Sequence, residues 1–191
     1  MRSVRDSTLH EYALWYLRRE ARKSGASEAP ADPAVAIQTM WRKHAGKMRR
    51  WFQPSTDWSV ISLEVTELAD LLFLQCDWTE REGLVVADGL NYRLLSRVAE
   101  NARKGAYFTR PPTNEAHAKH QAYYKALASG SLRLNGDHRL AVCTAEESEI
   151  AQNPRARYYL LDGVGRGLPY LVLTMERTID STPVEAFLAE S

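Results

Sequence analysis

Apolar residues recur at helical spacing in the first quarter of the chain. This spacing predicts a helix over 8–23, followed by a loop of small residues. A second helix is predicted from Asp32, the residue type of an N-cap, with Pro33 in the first turn and Pro54 as the stop signal. We interpret residues 1–53 as a two-helix arm that packs on the rest of the chain.

After this arm, short β-type runs alternate with short amphipathic segments. The predicted strands cover 58–63, 84–87, 157–161 and 171–175. The predicted helices cover 66–72, 91–104, 113–130, 145–152 and the stretch from Pro183 to the end. The Asn135-Gly136 pair suits a type I′ turn and predicts a hairpin over 132–143. The pattern therefore predicts an α+β fold, in which residues 54–191 form a small mixed sheet with flanking helices.

The composition is that of an ordinary globular domain: 191 residues, 45% apolar and 26% charged. No run of about 18 apolar residues is present, so a transmembrane helix and a membrane partner are not expected. The chain begins without an apolar stretch typical of a secretory signal, which predicts a cytoplasmic protein. Two cysteines are too few for a disulfide framework or a cysteine-rich zinc site.

The formal net charge of +1 hides an uneven distribution. Residues 1–51 carry +6 and residues 52–191 carry −5. A basic helical arm can bind nucleic acid, and here the candidate contacts are Arg42, Lys43, Arg49 and Arg50. The alternative is that these charges form solvated helix faces or dock on the acidic body.

The most distinctive stretch follows the β-type run at 157–161. It places Asp162, Gly163, Gly165 and Arg166 within five residues. Glycines let backbone N–H groups approach a ligand, and an arginine can bind phosphate or carboxylate with two hydrogen bonds. Asp162 is then a metal ligand, a base or the counter-ion of Arg166. The alternative is a glycine-rich turn with a structural Asp–Arg pair.

A strand followed by Asp-Gly-x-x-Arg resembles the phosphate-gripping loop of the ParB/sulfiredoxin-like fold. The resemblance implies that Asp162, Gly163 and Arg166 hold nucleotide phosphates, with ATP or CTP and Mg²⁺ as the implied ligands. Gly165 stands where that family usually has histidine, and Pro169 is expected to shorten any following helix. Sulfiredoxin activity is not expected, because this loop contains no cysteine.

A second Asp-Gly turn occurs at 88–89, with Arg93 four residues after Gly89. The predicted strand before it and the predicted helix after it place Arg93 in a first helical turn, which suits anion binding. We therefore treat Asp88, Gly89 and Arg93 as further candidate ligand-binding residues. The alternative is a plain strand-to-helix turn.

His117 and His120 are three residues apart on a predicted helix and share a face. They are candidates for a metal site or a general base, and the alternative is polar helix surface. Metal pairs on helices more often use a spacing of four residues.

Together these patterns predict a protein that binds a nucleotide or another small phosphorylated ligand. In an enzymatic version, Asp162 and Arg166 are the catalytic residues of phosphotransfer or nucleotide hydrolysis. The alternative is a non-enzymatic protein that binds nucleic acid or a partner through its basic N-terminal helices.

Overall fold

The computed structural model of the protein describes residues 1–24, 32–43, 51, 53, 55–74, 77–85, 92–146, 150–151 and 153–190. The described strands are β1 (Arg2–Ser7), β2 (Asp57–Leu63), β3 (Leu72–Leu74), β4 (Tyr92–Leu94), β5 (Leu140–Thr144), β6 (Tyr158–Asp162) and β7 (Val184–Glu190). The described helices are α1 (Leu9–Ser24), α2 (Pro33–Lys43), α3 (Val65–Ala69), α4 (Asp77–Arg81), α5 (Leu95–Lys104), α6 (Glu115–Ala128) and α7 (Val164–Met175).

The described strands form one mixed sheet in the order β1-β2-β7-β5-β6-β3-β4. The β5–β7 and β3–β6 pairs are parallel and the other pairs are antiparallel. The predicted α+β class, with helices flanking a mixed sheet, is therefore confirmed.

Both faces of the central strands are buried under helices. On one face, Tyr12 of α1 stacks on Trp58 of β2, with ring centroids 4.4 Å apart, and meets Phe187 of β7 edge-on. The opposite face carries Leu188 of β7 and packs against helices that include α7. The aromatic residues of α1 are thus core residues, and the helix is held by their burial.

The predictions for the last two elements are wrong. Residues 171–175 belong to helix α7, and the stretch from Pro183 contains strand β7 rather than a helix. Each segment contains a short apolar run without alternation, 170–173 in α7 and 186–189 in β7, and the residues of both runs are buried. Such runs do not reveal their secondary structure by periodicity.

Proline does not shorten helix α7, which runs through Pro169 to Met175. A proline in a helix removes one backbone hydrogen bond, here to the carbonyl of Gly165. All residues from Arg166 to Leu173 are buried. Tertiary packing therefore outweighs the local preference of the proline.

The hairpin predicted over 132–143 does not form. Gly136–His138 is a short 3-10 turn, and β5 pairs with β6 and β7 instead of with residues 132–134. The Asn-Gly signal marks a turn correctly but does not choose the strand that pairs with β5. That choice depends on residues far along the chain.

Several other boundaries also differ from the sequence predictions. The helix predicted over 91–104 begins only at Leu95, and the residues before it form β4. Leu72 begins β3 rather than ending a helix, and Leu84 lies in a bend rather than a strand. The sequence does not predict β1, which is exposed at the sheet edge and lacks apolar alternation.

Candidate anion site at the β6–α7 junction

Strand β6 passes directly into helix α7 through Gly163, the N-cap of the helix. Gly163 has φ +105°, in the left-handed region that favours glycine. A Cβ atom here would lie 2.6 Å from Leu140 Cδ2 and 3.0 Å from Arg166 Nη2. The glycine-rich stretch therefore forms a tight turn that leads from β6 directly into a helix of 12 residues.

The first turn of α7 begins on Gly163, whose carbonyl accepts from the backbone N–H groups of Arg166 (2.9 Å) and Gly167 (2.8 Å). The first N–H groups of a helix have no partner within the helix, and they lie at the positive end of its dipole. This end of α7 therefore favours a negative charge.

One carboxylate lies between two guanidinium groups at this helix end. Asp162 Oδ2 accepts a hydrogen bond from Arg166 Nη2 at 3.2 Å and a short one from Arg19 Nη1. Arg19 belongs to α1 and lies 143 residues before Asp162 in the chain. Its Nη2 also approaches Glu20 Oε1 at 3.4 Å.

Both arginines are buried. The side chain of Arg166 is 3% exposed and that of Arg19 is 10% exposed. The Nε atom of each has no hydrogen-bond partner among the described residues. The guanidinium groups of Arg19 and Arg166 lie 4.7 Å and 5.8 Å from the ring centroid of Trp15, which adds cation–π attraction.

The surroundings shift the pKa values of the two arginines in opposite directions. Burial lowers the pKa of Arg166 and the nearby charge of Arg19 lowers it further, despite the attraction of Asp162. The pKa of Arg19 is raised by Asp162 in spite of burial. Asp162 thus lies between two cations, and the burial of Arg166 disfavours its charged form more than that of Arg19.

Helix α6 brings His120 against the start of α7. A Cβ atom on residue 165 would lie 2.9 Å from His120 Cδ2 and 3.0 Å from its Nε2. On its other side, His120 Nδ1 lies 3.0 Å from the hydroxyl of Tyr107. Burial, helped by the charge of His117, lowers the pKa of His120 to about 4, so its imidazole is neutral at physiological pH.

These groups line a cavity of about 850 Å³, within the size range of small-molecule sites. Its charged and polar walls are formed by Arg19, Glu20, Lys119, His120, Tyr123, Asp162 and Arg166. Its other walls are formed by Ala116, Ala122, Ala126, Leu132, Gly163, Val164 and Gly165. Three cationic side chains thus face two carboxylates, beside an apolar wall from α6.

The structure brings together the four candidates Asp162, Gly163, Gly165 and Arg166, which all line this cavity. It does not bring Arg93 there. Arg93 lies in strand β4, so its expected place in a first helical turn is wrong, and its Nη1 donates to the Tyr92 carbonyl at 3.0 Å. Asp88 and Gly89 lie outside the described residues, and a ligand-binding role for this second turn stays a prediction.

The two histidines of α6 have different surroundings. His117 is fully buried, where its Nδ1 accepts from the Thr113 N–H at 3.2 Å and its Nε2 donates to the Tyr107 carbonyl. Its ring stacks on Tyr107 with centroids 4.1 Å apart. Within the described ranges, no group of three His, Cys, Asp or Glu side chains is placed to hold a metal ion. His117 is a core residue, whereas His120 faces the cavity.

Sequence reasoning missed Arg19 and did not connect His120 with the glycine turn. Arg19 was one of many cations of the N-terminal arm, and nothing in its neighbours marks it as part of a site. Only the docking of α1 on the sheet places it beside Asp162, 143 residues away in the chain.

The nucleic-acid hypothesis concerns residues that the structure does not fully describe. Arg42 and Lys43 belong to α2, but their side chains lie outside the described part, as do Arg49 and Arg50 altogether. This hypothesis stays a prediction. Among the described helices, none is long and apolar enough to cross a bilayer.

Comparisons of the chain with protein-family models, with curated proteins and with solved structures found no match. The resemblance to the ParB/sulfiredoxin-like fold therefore stays a prediction.

Proposed function

We propose that this protein binds a small phosphorylated ligand, such as a nucleotide, at the β6–α7 junction. One observation carries the proposal: two buried arginines meet at the carboxylate of Asp162, at a helix N-terminus that opens into a cavity. A phosphate group bound here can accept hydrogen bonds from the guanidinium groups and from the first N–H groups of the helix.

Each group has a distinct role in this binding. The first N–H groups of α7 and the guanidinium of Arg166 bind phosphate oxygens. Arg19 adds positive charge from α1. Asp162 holds both arginines in place, because its Oδ2 already accepts from each of them.

The remainder of the cavity suits an organic group attached to the phosphate. Tyr123 and the alanines of α6 provide a partly apolar wall along one side. Sugar and base of a nucleotide could occupy this side, in keeping with the ATP or CTP that the ParB-like resemblance implies. The engagement of Asp162 with two arginines favours binding over a role as base or Mg²⁺ ligand.

The proposal is tested by calorimetric titration with inorganic phosphate, pyrophosphate, ATP and CTP, each with and without Mg²⁺. We expect binding of at least one phosphate compound, and a loss of about tenfold or more in Arg166→Met, since a charge-assisted hydrogen bond contributes about 1.5–3 kcal/mol. Arg97→Met is the control variant, because Arg97 is 72% exposed on α5 and, within the described ranges, forms an ion pair only with Glu100. No binding by the wild type, or equal binding by Arg166→Met, would refute the proposal.

A further inference from the structure

The first turn of α7 leaves space for an imidazole that comes from another helix. At position 165 even a methyl group would meet His120 Cδ2 at 2.9 Å and Nε2 at 3.0 Å. Real Cβ atoms essentially never approach other atoms so closely, so a side chain here would displace the ring or the helix. Gly165 is therefore required for the position of His120, although its own backbone is helical.

The orientation of the ring is set by Tyr107. Among the described residues, the hydroxyl of Tyr107 has one hydrogen-bond partner, His120 Nδ1, at 3.0 Å. Burial raises the pKa of Tyr107, so the hydroxyl keeps its proton. A buried hydroxyl proton needs an acceptor, and Nδ1 provides it. His120 then carries its own proton on Nε2, the ring nitrogen on the side of Gly165.

Tyr107 is itself fixed by buried neighbours. Its ring stacks on His117, and its carbonyl accepts from His117 Nε2 and, at 3.1 Å, from Gln121 Nε2. The hydroxyl of Tyr107 consequently has little freedom to follow His120 elsewhere. The network makes His120 a pre-oriented donor rather than a mobile surface residue.

We propose that His120 is a ligand-contacting residue of the anion site, whose Nε2–H donates to a phosphate oxygen held at the first turn of α7. This rests on the proposed function, because it assigns a third side-chain donor to the same ligand. Gly165 is the residue that admits this donor, and Tyr107 selects its tautomer. The donor carries no charge, so it adds a hydrogen bond without adding repulsion to Arg19 and Arg166.

The test is a titration of pyrophosphate into four variants and the wild type. His120→Leu removes the donor, and we expect a loss of affinity of about tenfold or more. His120→Gln places an amide N–H near the position of Nε2, so it should retain most of the affinity. Gly165→Ala should lose as much as His120→Leu, but it should cost little more when it is added to His120→Leu.

This non-additivity distinguishes a ligand contact from simple packing. If Gly165 only packs well, its substitution reduces affinity or stability by a similar factor in both backgrounds, and the proposal is overturned. If Arg166→Met loses binding while His120→Leu does not, the proposal fails and the proposed function stands. If the wild type binds no phosphate compound, both are refuted.

The tautomer is measured without any ligand. Long-range ¹H–¹⁵N spectra of the histidine rings distinguish a proton on Nε2 from one on Nδ1. We expect His120 in the Nε2–H form in the wild type and a change in its populations in Tyr107→Phe. Finding the Nδ1–H form in the wild type would overturn the donor role.

Discussion

Asp162 is the counter-ion of two buried arginines, so its neutralisation should destabilise the protein more than removal of either arginine. Asp162→Asn keeps the size of the side chain and one acceptor oxygen, but it removes the negative charge. Arg166 would then lie 97% buried beside Arg19 without a carboxylate in contact. Arg166→Met removes one cation and leaves Asp162 paired with Arg19.

The magnitude follows from burial and distance. At an effective dielectric constant of about 20, unit charges about 4 Å apart interact by about 4 kcal/mol, and Asp162 has two such partners. Three factors reduce this sum. The substitution also removes the cost of desolvating the carboxylate, the side chain of Asp162 is 22% exposed, and Arg19 keeps its contact with Glu20. We therefore expect Asp162→Asn to lower the free energy of unfolding by about 3 kcal/mol, the lower end for a broken buried pair. Arg166→Met should cost about 1 kcal/mol, since it also removes a buried charge and the Arg19–Arg166 repulsion.

The assay is urea unfolding of the wild type, both single variants and the double variant, with and without phosphate. The double variant should be more stable than Asp162→Asn alone, because the excess cation is gone. Phosphate should stabilise Asp162→Asn more than the wild type, since the anion replaces the missing carboxylate. Equal stability of Asp162→Asn and the wild type, or a larger loss in Arg166→Met, would refute this account of the charges.

Three further predictions concern Gly163, His120 and the buried carboxylate of Glu82. Gly163→Ala should lower the free energy of unfolding by about 2 kcal/mol in urea titrations, since alanine must adopt the left-handed conformation against Leu140; an unchanged midpoint would contradict this. Acidification should destabilise the wild type relative to His120→Gln, because the pKa of His120 is about 4 in the folded state and 6.5 ordinarily, so the unfolded chain takes up the proton first. The difference between the two proteins should change by about 2.5 kcal/mol from about pH 7.5 to about pH 4.5 in matched denaturant titrations, and parallel pH profiles would exclude it. Glu82→Ala should lower the free energy of unfolding by about 2 kcal/mol in the same assay, because the 5% exposed carboxylate accepts from Arg110 at 2.7 Å. An unchanged free energy of unfolding would show that this ion pair does not stabilise the fold.

Local signals predicted several elements well. The first helix was predicted over 8–23 and lies at Leu9–Ser24, and the strand predicted over 58–63 is β2. Asn114 is the N-cap of α6, and its side chain accepts from the His117 N–H, in agreement with the helix predicted over 113–130. These elements were predictable because amphipathic period and capping chemistry lie within a few residues of each other.

Segments buried on all sides were not predictable in the same way. Helix α7 contains the apolar run 170–173 and strand β7 the apolar run 186–189, and the sequence pattern predicted a strand for the first and a helix for the second. What decides between them is the neighbour: β7 is hydrogen-bonded between β2 and β5, whereas α7 packs against α5 and α6. That information lies elsewhere in the chain.

The same distinction between local and distant contacts applies to the candidate site. The proximity of Asp162, Gly163, Gly165 and Arg166 was predictable, because four residues within one strand-to-helix turn cannot separate. The contact of Arg19 from α1 with the carboxylate of Asp162, and that of His120 from α6 with Gly165, arise from the packing of helices that are distant in the chain. Burial of the α1 aromatic residues and packing of α6 on α7 hold these side chains in place. The helical spacing of apolar residues predicts that such a helix has a buried face, but the surface on which that face packs depends on residues far away in the chain.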